Sequence, residues 1–291
     1  MANETVPSAL SVASLKSVAA LMLAVAEKEI FAPLILSAQS GLGSVASDVT
    51  APLLLDPPSV AELTDGTQYA TNTAITATSM TATIKEIGLR AEITDASVED
   101  LGIGQNGQLE AGTIATFSNS ISTGVDATLL GMIASLTTNV ESQSGVALDK
   151  TIWQNMILQM RNSLAHGYGD DFMAVLSPTQ YSSLSKSLDD ASTYGGLGED
   201  ILMNLGKAMR ANYVGAPYGV NTWITTNVQR TSSDWNGVMF VPEAFYYGIK
   251  RDTRVEKARV DPGDRANTIV VTKRFAYAEK QDALAGRILS I

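Results

Sequence analysis

The sequence predicts an α+β fold with an N-terminal arm, an extended β-hairpin, one long helix and a mixed α/β domain. Residues 71–83 are rich in threonine, carry no charge and continue into residues 84–93, which predicts a long strand. A single apolar stripe runs at helical spacing through residues 108–137. Residues 254–291 are again rich in strand-forming side chains. The long helix and the long strands are therefore the main structural elements.

Composition indicates a folded protein that does not bind nucleic acid through a cationic surface. Of its 291 residues 45% are hydrophobic and 17% are charged, which is typical of a globular chain. Lys and Arg total 20 against 30 Asp and Glu, so the formal net charge is -10, and no basic run offers phosphates a cationic surface. With no cysteine, disulfides, thiol nucleophiles and thiolate metal sites are excluded.

Residues 1–48 are predicted to form an N-terminal arm. Residues 17–26 imitate the apolar region of a secretory signal, but the positive charge, Lys16, does not open the chain, and Glu4 precedes it. Apolar side chains at helical spacing instead predict an amphipathic helix here. Prolines and glycines interrupt residues 31–58, which favours an extended arm that packs on something else.

Residues 49–96 are predicted to form an extended loop made of two long strands. The turn signal Asp65-Gly66 marks a hairpin, and the Thr-rich run forms its second strand. A flexible Ser/Thr-rich stalk is the alternative. The absence of proline from the Thr-rich run favours strands.

Residues 97–139 are predicted to hold the long helix. Its stripe of apolar residues is Ile114, Phe117, Ile121, Val125, Leu129, Met132 and Leu136. A helix over residues 108–137 would have about eight turns and a length of about 45 Å. Three glycines lie inside this stretch and weaken it: Gly112, Gly124 and Gly131.

Residues 140–235 are predicted to form a mixed α/β domain, and residues 236–291 a final set of strands. Asp149 is placed to cap one helix, and Ser177 with Pro178 to begin another. Helices are expected at 149–166, 178–188 and 201–209, and strands at 172–176, 220–225 and 238–241, with a turn at 261–264.

We expect no catalytic residue, no cofactor site and no metal site. Gly102 to Gly107 match the dinucleotide fingerprint, but no strand leads directly into the first glycine. The sole histidine, His166, has no nucleophile elbow to serve and is interpreted as a surface or capping residue. The acidic pairs are interpreted as loop charge: Asp170, Asp171, Asp189 and Asp190.

Charges of both signs are concentrated near the C-terminal end of the sequence. They are Lys250, Arg251, Asp252, Arg254, Glu256, Lys257, Arg259, Asp261, Asp264, Arg265, Lys273 and Arg274. Mixed signs suit ion pairs between repeated subunits. An ordinary solvated face is the alternative, because single surface pairs contribute little.

The order of these parts resembles the major capsid proteins of tailed bacteriophages with the Hong Kong 97 type of fold. AELTDGTQY at 61–69 with EIGLRAEITDA at 86–96 is similar to that family's extended loop (E-loop), and the helix at 108–137 is similar to the spine helix of its peripheral domain. NYVGAPYGVNTWITTNV at 212–228 resembles part of its axial domain, and VMFVPEAFYYGI at 238–249 and residues 265–291 resemble its final strands.

The resemblance implies a structural protein without enzymatic activity. It would self-assemble into the hexamers and pentamers of an icosahedral or prolate head that encloses double-stranded DNA, be assembled in the host cytoplasm and reside in the virion. Its partners would be a portal, decoration proteins and a separate scaffolding protein, since only about fifty residues precede the hairpin, close to the minimum for a small structured element. No membrane is implied.

The resemblance also implies inter-subunit contacts at the extended loop and in the C-terminal charge block. We expect them at Asp65, Tyr69, Lys85, Arg90, Arg254, Lys257, Arg259, Asp261, Asp264 and Arg265. In the type member a lysine of the extended loop forms a covalent cross-link. Here the hairpin's only lysine, Lys85, lies near its base, so we expect noncovalent assembly.

Three other functions remain open on the sequence. An encapsulin-like compartment shell would share the fold and load proteins in place of DNA. A secreted β-rich adhesin or surface-layer protein would also explain the acidity and the Thr-rich strands, and a mature N-terminus at Glu27 would identify it. A dehydrogenase built on Gly102 to Gly107 is the third, and calorimetry with a dinucleotide would test it.

Overall fold

A computed structural model describes residues 30–35, 48–52, 79–95, 106–142, 145–163, 172–188, 213–259 and 266–291. The chain divides into two compact units. Unit 1 draws on residues 1–44, 84–130 and 247–276, and unit 2 on residues 45–83, 131–246 and 277–291.

Unit 1 contains two helices, α1 (Phe31–Leu34) and α2 (Asn106–Leu130). The predicted stripe is confirmed in the second half of α2, where Ile121, Val125 and Leu129 are buried, whereas Ile114 and Phe117 are only half-buried. Phe31 of α1 is also fully buried, so this part of the arm packs on the chain's own α2.

The predicted end of the long helix is wrong. The α-helix ends at Leu130, and Gly131–Ser135 continue as a 3₁₀ helix, so α2 is about 37 Å long. Gly131 weakens helical backbone. A Cβ at Gly131 would also lie only 3.2 Å from Nε2 of Gln229. Gly112 and Gly124, in contrast, lie within the continuous helix.

Strands β2 (Ser79–Thr94), β10 (Ala266–Glu279) and β9 (Phe245–Arg259) form, in that order, the sheet of unit 1. Apolar side chains alternate along β10, and three of them, Ile269, Val271 and Phe275, are fully buried. The rings of Phe275 and Tyr247 meet edge to face with centroids 5.9 Å apart.

β2 confirms the strand predicted for residues 84–93 and begins at Ser79, within the Thr-rich run. Within unit 2, residues 79–83 of β2 pair antiparallel with β1 (Asp48–Pro52), with Asp48 opposite Thr83. Residues 53–78, including the expected first strand and the Asp65-Gly66 turn, lie outside the described residues, so the extended loop stays a prediction.

Unit 2 is built on a mixed seven-stranded sheet of order β3-β11-β8-β4-β6-β5, with β7 paired to β8. The strands are β3 (Asn139–Ser142), β4 (Met173–Leu176), β5 (Tyr213–Gly215), β6 (Asn221–Ile224), β7 (Arg230–Thr231), β8 (Asp234–Phe240) and β11 (Ala285–Ser290). β11 pairs parallel with β3 and antiparallel with β8.

Helices α3 (Lys150–Ser163) and α4 (Pro178–Leu188) complete unit 2 and confirm both predicted caps. Asp149 Oδ1 accepts the N–H of Ile152 at 2.8 Å. Ser177 Oγ accepts the N–H of Gln180 at 3.1 Å, and Gln180 Oε1 accepts the N–H of Ser177 at 3.2 Å, which completes a capping box.

Several predicted features lie outside the described residues. They are the helix at 17–26, the glycines at 102–105, His166, the acids at 170–171 and 189–190, the helix at 201–209 and the turn at 261–264.

Candidate inter-subunit surface

A charged cluster occupies one face of the unit 1 sheet. Arg251 Nη2 on β9 donates to Glu86 Oε1 on β2 at 2.5 Å and to Thr272 Oγ1 on β10 at 2.9 Å. Arg274 Nε lies 3.9 Å from Glu86 Oε2. Because β10 lies between β2 and β9, the Arg251 side chain crosses β10 to reach Glu86. One carboxylate is thus shared by two guanidinium groups, and the cluster keeps one positive charge.

The period of the strand explains why this face is polar. Glu86, Arg90 and Glu92 alternate along β2 and share a face. On the opposite face, Ile87 approaches α2, where a Cβ at Gly124 would lie 3.7 Å from Ile87 Cδ1. The helix therefore covers part of the opposite face, around Ile87, and leaves the charged face to solvent.

The far part of β9 has neither face covered. All residues at 254–258 are exposed, although successive side chains of a strand point to opposite faces. Arg254 pairs with Glu256 of the same strand at 2.8 Å, and Val255 is 41% exposed. Such an exposed ion pair contributes about 0–1 kcal/mol within the subunit.

The structure describes five of the ten residues expected at contacts. Lys85 and Lys257 are exposed, Arg90 pairs with Glu92, Arg254 pairs with Glu256, and Arg259 ends β9. The other five lie outside the described residues: Asp65, Tyr69, Asp261, Asp264 and Arg265. Contact of any of these with a second copy stays a prediction.

Sequence reasoning did not select Glu86, Arg251 or Arg274 as contact residues. The two arginines were noted only as members of the charge block. The sequence could have predicted a charged face of the strand, because Glu86, Arg90 and Glu92 lie an even number of positions apart.

Asp126 is a second residue that the sequence analysis missed. It is fully buried on α2, and its carboxylate accepts the N–H groups of Ile30 at 2.8 Å, Phe31 at 3.1 Å and Ala32 at 2.9 Å. The carboxylate thereby satisfies the free donors at the start of α1, which has no side-chain cap of its own. The sequence feature that could have identified Asp126 is that it is the only charged residue between positions 111 and 130.

In unit 2, every hydrogen bond that a guanidinium group makes to the described residues goes to a neutral oxygen. Arg287 on β11 donates through Nε and Nη2 to Asn236 Oδ1 at 3.1 and 2.9 Å, and through Nη1 to the carbonyl of Ala134 at 3.2 Å. Nη2 also lies 3.4 Å from Thr231 Oγ1. Burial lowers the pKa of Arg287.

An acid on the neighbouring strand, Glu141 of β3, also has a neutral hydrogen-bond partner. Glu141 on β3 accepts a hydrogen bond from Gln159 Nε2 at 2.7 Å, and burial raises the pKa of this carboxyl group.

A polar groove of about 530 Å³ lies beside β3 and α3. Thr137, Thr138, Asn139, Val140, Gln159, Asn162 and Ser163 line it. Near one end, Asp282 accepts the hydroxyl and backbone N–H of both Thr137 and Thr138. The lining offers hydroxyl and carboxamide groups, none of which titrates near neutral pH.

The described ranges contain no candidate metal site and no candidate membrane-spanning helix. No group of three or more His, Asp or Glu residues in these ranges could hold a metal ion. None of the helices described has the length and apolar composition needed to cross a membrane.

Comparison of sequences finds no relative, since neither a family model nor a curated protein matches the chain. Comparison of structures does. A structure from Mycobacterium phage Che8 has a TM-score of 0.66 and 19% identity over 90% of this chain and 91% of that one. The capsid of Ralstonia phage GP4 has a TM-score of 0.67 and 11% identity over 91% of each chain. The capsid of Cyanophage P-SCSP1u has a TM-score of 0.61 and 17% identity, over 85% of this chain and 84% of that one.

These likenesses extend over most of both chains. At identities below 20% they concern the fold, since no sequence relative accompanies them. The chain therefore has the fold of the tailed-phage major capsid proteins, the Hong Kong 97 type.

Proposed function

We propose that this chain is a major capsid protein that assembles into the hexamers and pentamers of a phage head enclosing double-stranded DNA. The observation that carries the proposal is the likeness to phage capsid structures over about nine tenths of both chains. A match of this extent covers nearly the whole fold and not only one shared substructure.

The unit 1 sheet supports the proposal independently. Residues 254–258 of β9 are exposed on both faces, although a ribbon of strands in water is stable only when a face is covered. Neighbouring copies would cover it. A contact between two different surfaces of identical copies repeats head to tail, and such contacts close into rings.

The charge balance fits a container for DNA. A formal charge of -10 gives the chain no general attraction to phosphates, so packaged DNA would stay releasable. A portal, decoration proteins and a separate scaffolding protein remain the partners that this role predicts.

Expression followed by negative-stain electron microscopy tests the proposal. The chain is expressed alone and together with the scaffolding candidate from the same genome. Closed shells, or rings of six and five copies, are the expected result. A monodisperse monomer under both conditions contradicts it. Shells that hold a defined protein cargo in place of DNA would replace the phage role by that of a compartment shell.

A further inference from the structure

Two charged residues lie on opposite faces at one edge of the unit 2 sheet. β11 and β3 pair parallel, with Arg287 opposite Val140 and Ile288 opposite Glu141. Paired residues share a face and successive residues alternate, so Glu141 and Arg287 point to opposite faces. Their contacts agree, because Glu141 meets Gln159 of α3 whereas Arg287 meets the 3₁₀ helix at Ala134.

Neither charge is neutralised by another residue in the described part of the chain. There, all hydrogen bonds of the Arg287 guanidinium go to an amide, a carbonyl and a hydroxyl oxygen, and no carboxylate pairs with it. Within the same ranges, Glu141 has a carboxamide as its hydrogen-bond partner and no cation. Partial burial removes water from each charge without supplying the opposite one, which is unfavourable.

Both side chains are only partly buried, so a second molecule can reach them. The guanidinium is also held in a fixed orientation by its four contacts, which lowers the entropy cost of binding a carboxylate.

A head-to-tail ring brings one face of each copy against a different face of the next. A subunit with an unneutralised cation on one face and an unneutralised anion on the other is complementary to itself in this arrangement. We propose that Arg287 of one subunit pairs with Glu141 of the adjacent copy around the capsomer ring. The inference rests on the proposed function and names one of its contacts.

Charge reversal tests the pair. Arg287→Glu and Glu141→Arg are each expected to raise the protein concentration needed for ring formation by about tenfold or more, since close interfacial charge pairs are strongly coupled. The double variant restores the pair with its signs exchanged. Because the two residues lie on opposite faces of one subunit, the restored pair forms only between copies.

Mixing the two single variants gives a sharper test. A ring in which the two variants alternate satisfies every interface, because each interface then holds either the original or the exchanged pair. Alternation requires an even number of copies. The mixture should therefore recover six-membered rings and not five-membered rings, as counted in negative-stain images.

Controls separate assembly from folding. Glu243→Arg reverses an exposed charge of the same unit and should leave ring formation unchanged. Circular dichroism checks that each variant is folded. If Arg287→Glu does not fold, the cycle of Arg287→Gln, Glu141→Gln and their double variant measures the same coupling.

The two proposals fail in different ways. Wild-type protein that forms rings, with folded single variants that the double variant and the mixture do not rescue, overturns the pair and leaves the capsid role intact. Wild-type protein that never forms rings overturns the capsid role, and the pair with it.

Discussion

The carboxylate of Asp126 accepts the backbone N–H of Ala32 at 2.9 Å across 94 positions of sequence. Two further N–H groups of the same segment, those of Ile30 and Phe31, bind the same carboxylate. A charged hydrogen-bond acceptor therefore supplements the apolar contact between α1 and α2. Residues 30–32 are thereby fixed to α2.

Replacing Asp126 should release that attachment. Asp126→Ala leaves three buried donors without an acceptor and should lower the free energy of unfolding by about 2–4 kcal/mol. Asp126→Asn keeps one acceptor and should cost less. Urea titration measures both, and limited proteolysis should show faster cleavage near residue 30.

A cap in the other unit provides the control. Asp149→Ala removes the N-cap of α3 and should cost about 1 kcal/mol without faster cleavage near residue 30. Equal cleavage in the Asp126 and Asp149 variants would show that Asp126 does not hold the arm.

Two glycines of unit 1 should respond to alanine with opposite signs. At Gly88, a Cβ would lie 2.8 Å from Thr272 Cγ2 and 3.1 Å from the carbonyl of Val271, so Gly88→Ala should destabilise the fold by about 1–3 kcal/mol. At Gly124, within α2, the nearest neighbour is 3.7 Å away, and Gly124→Ala should stabilise by about 0.5–1 kcal/mol. Thermal melts of the two variants compare them directly, and equal shifts would refute the close approach of β2 and β10.

Gln180 should be the most sensitive polar residue of α4. It is fully buried, and its Nε2 lies within hydrogen-bonding distance of the carbonyls of Trp235 and Ile288 and of Ser290 Oγ, at 3.1, 3.3 and 2.9 Å. Gln180→Ala should therefore cost about 2–4 kcal/mol in urea unfolding. Thr179→Ala, on the exposed side of the same turn, should stay within about 0.5 kcal/mol. Similar costs at both positions would rule out that the Gln180 side chain stabilises the fold by joining α4 to β8 and β11.

Glu141→Gln should have opposite effects on the subunit and on its assembly. Burial raises the pKa of Glu141, so the folded subunit binds this proton more tightly than the unfolded chain, and the charged form destabilises the fold above the raised pKa. The variant should melt at a higher temperature than the wild type at neutral pH, and the difference should shrink as the pH falls through the ordinary glutamate pKa of about 4.3, below which the carboxyl group becomes protonated in both states. Ring formation by the same variant should weaken, because the pair with Arg287 loses its negative charge. A lower melting temperature at neutral pH would contradict the first expectation.

Local signals predicted the helices of unit 2 well. The Asp149 cap and the Ser177-Pro178 start were readable because a cap acts within three or four residues. The start of the long helix was also predicted to within a few residues. Its end was not, because the apolar stripe continues through Leu136 while the backbone changes at Gly131 from α-helix to 3₁₀ helix.

Contacts between distant segments could not be predicted from periodicity. The pairing of β1 with β2, the attachment of Ile30 to Asp126 and the Asn236 contact of Arg287 each join residues more than twenty-five positions apart. The contact residues expected from the resemblance were surface charges. Glu141 and Arg287 are the charges for which we propose a partner in a second copy. They were identified only by their partial burial in the structure.

The position of β11 between β3 and β8 determines when β3 can join the unit 2 sheet during synthesis. β3 and β8 are neighbours of β11 on its two sides, so residues 139–142 and 234–240 are synthesised long before the strand that joins them. Until β11 has been made, β8 lies at an edge of the remaining unit 2 strands, and β3 has no partner among the described strands. Long-range closure of this kind is slow, so β3 joins the unit 2 sheet only after β11 has been synthesised. Nascent chains stalled before residue 285 should accordingly be cleaved readily by protease within residues 234–240.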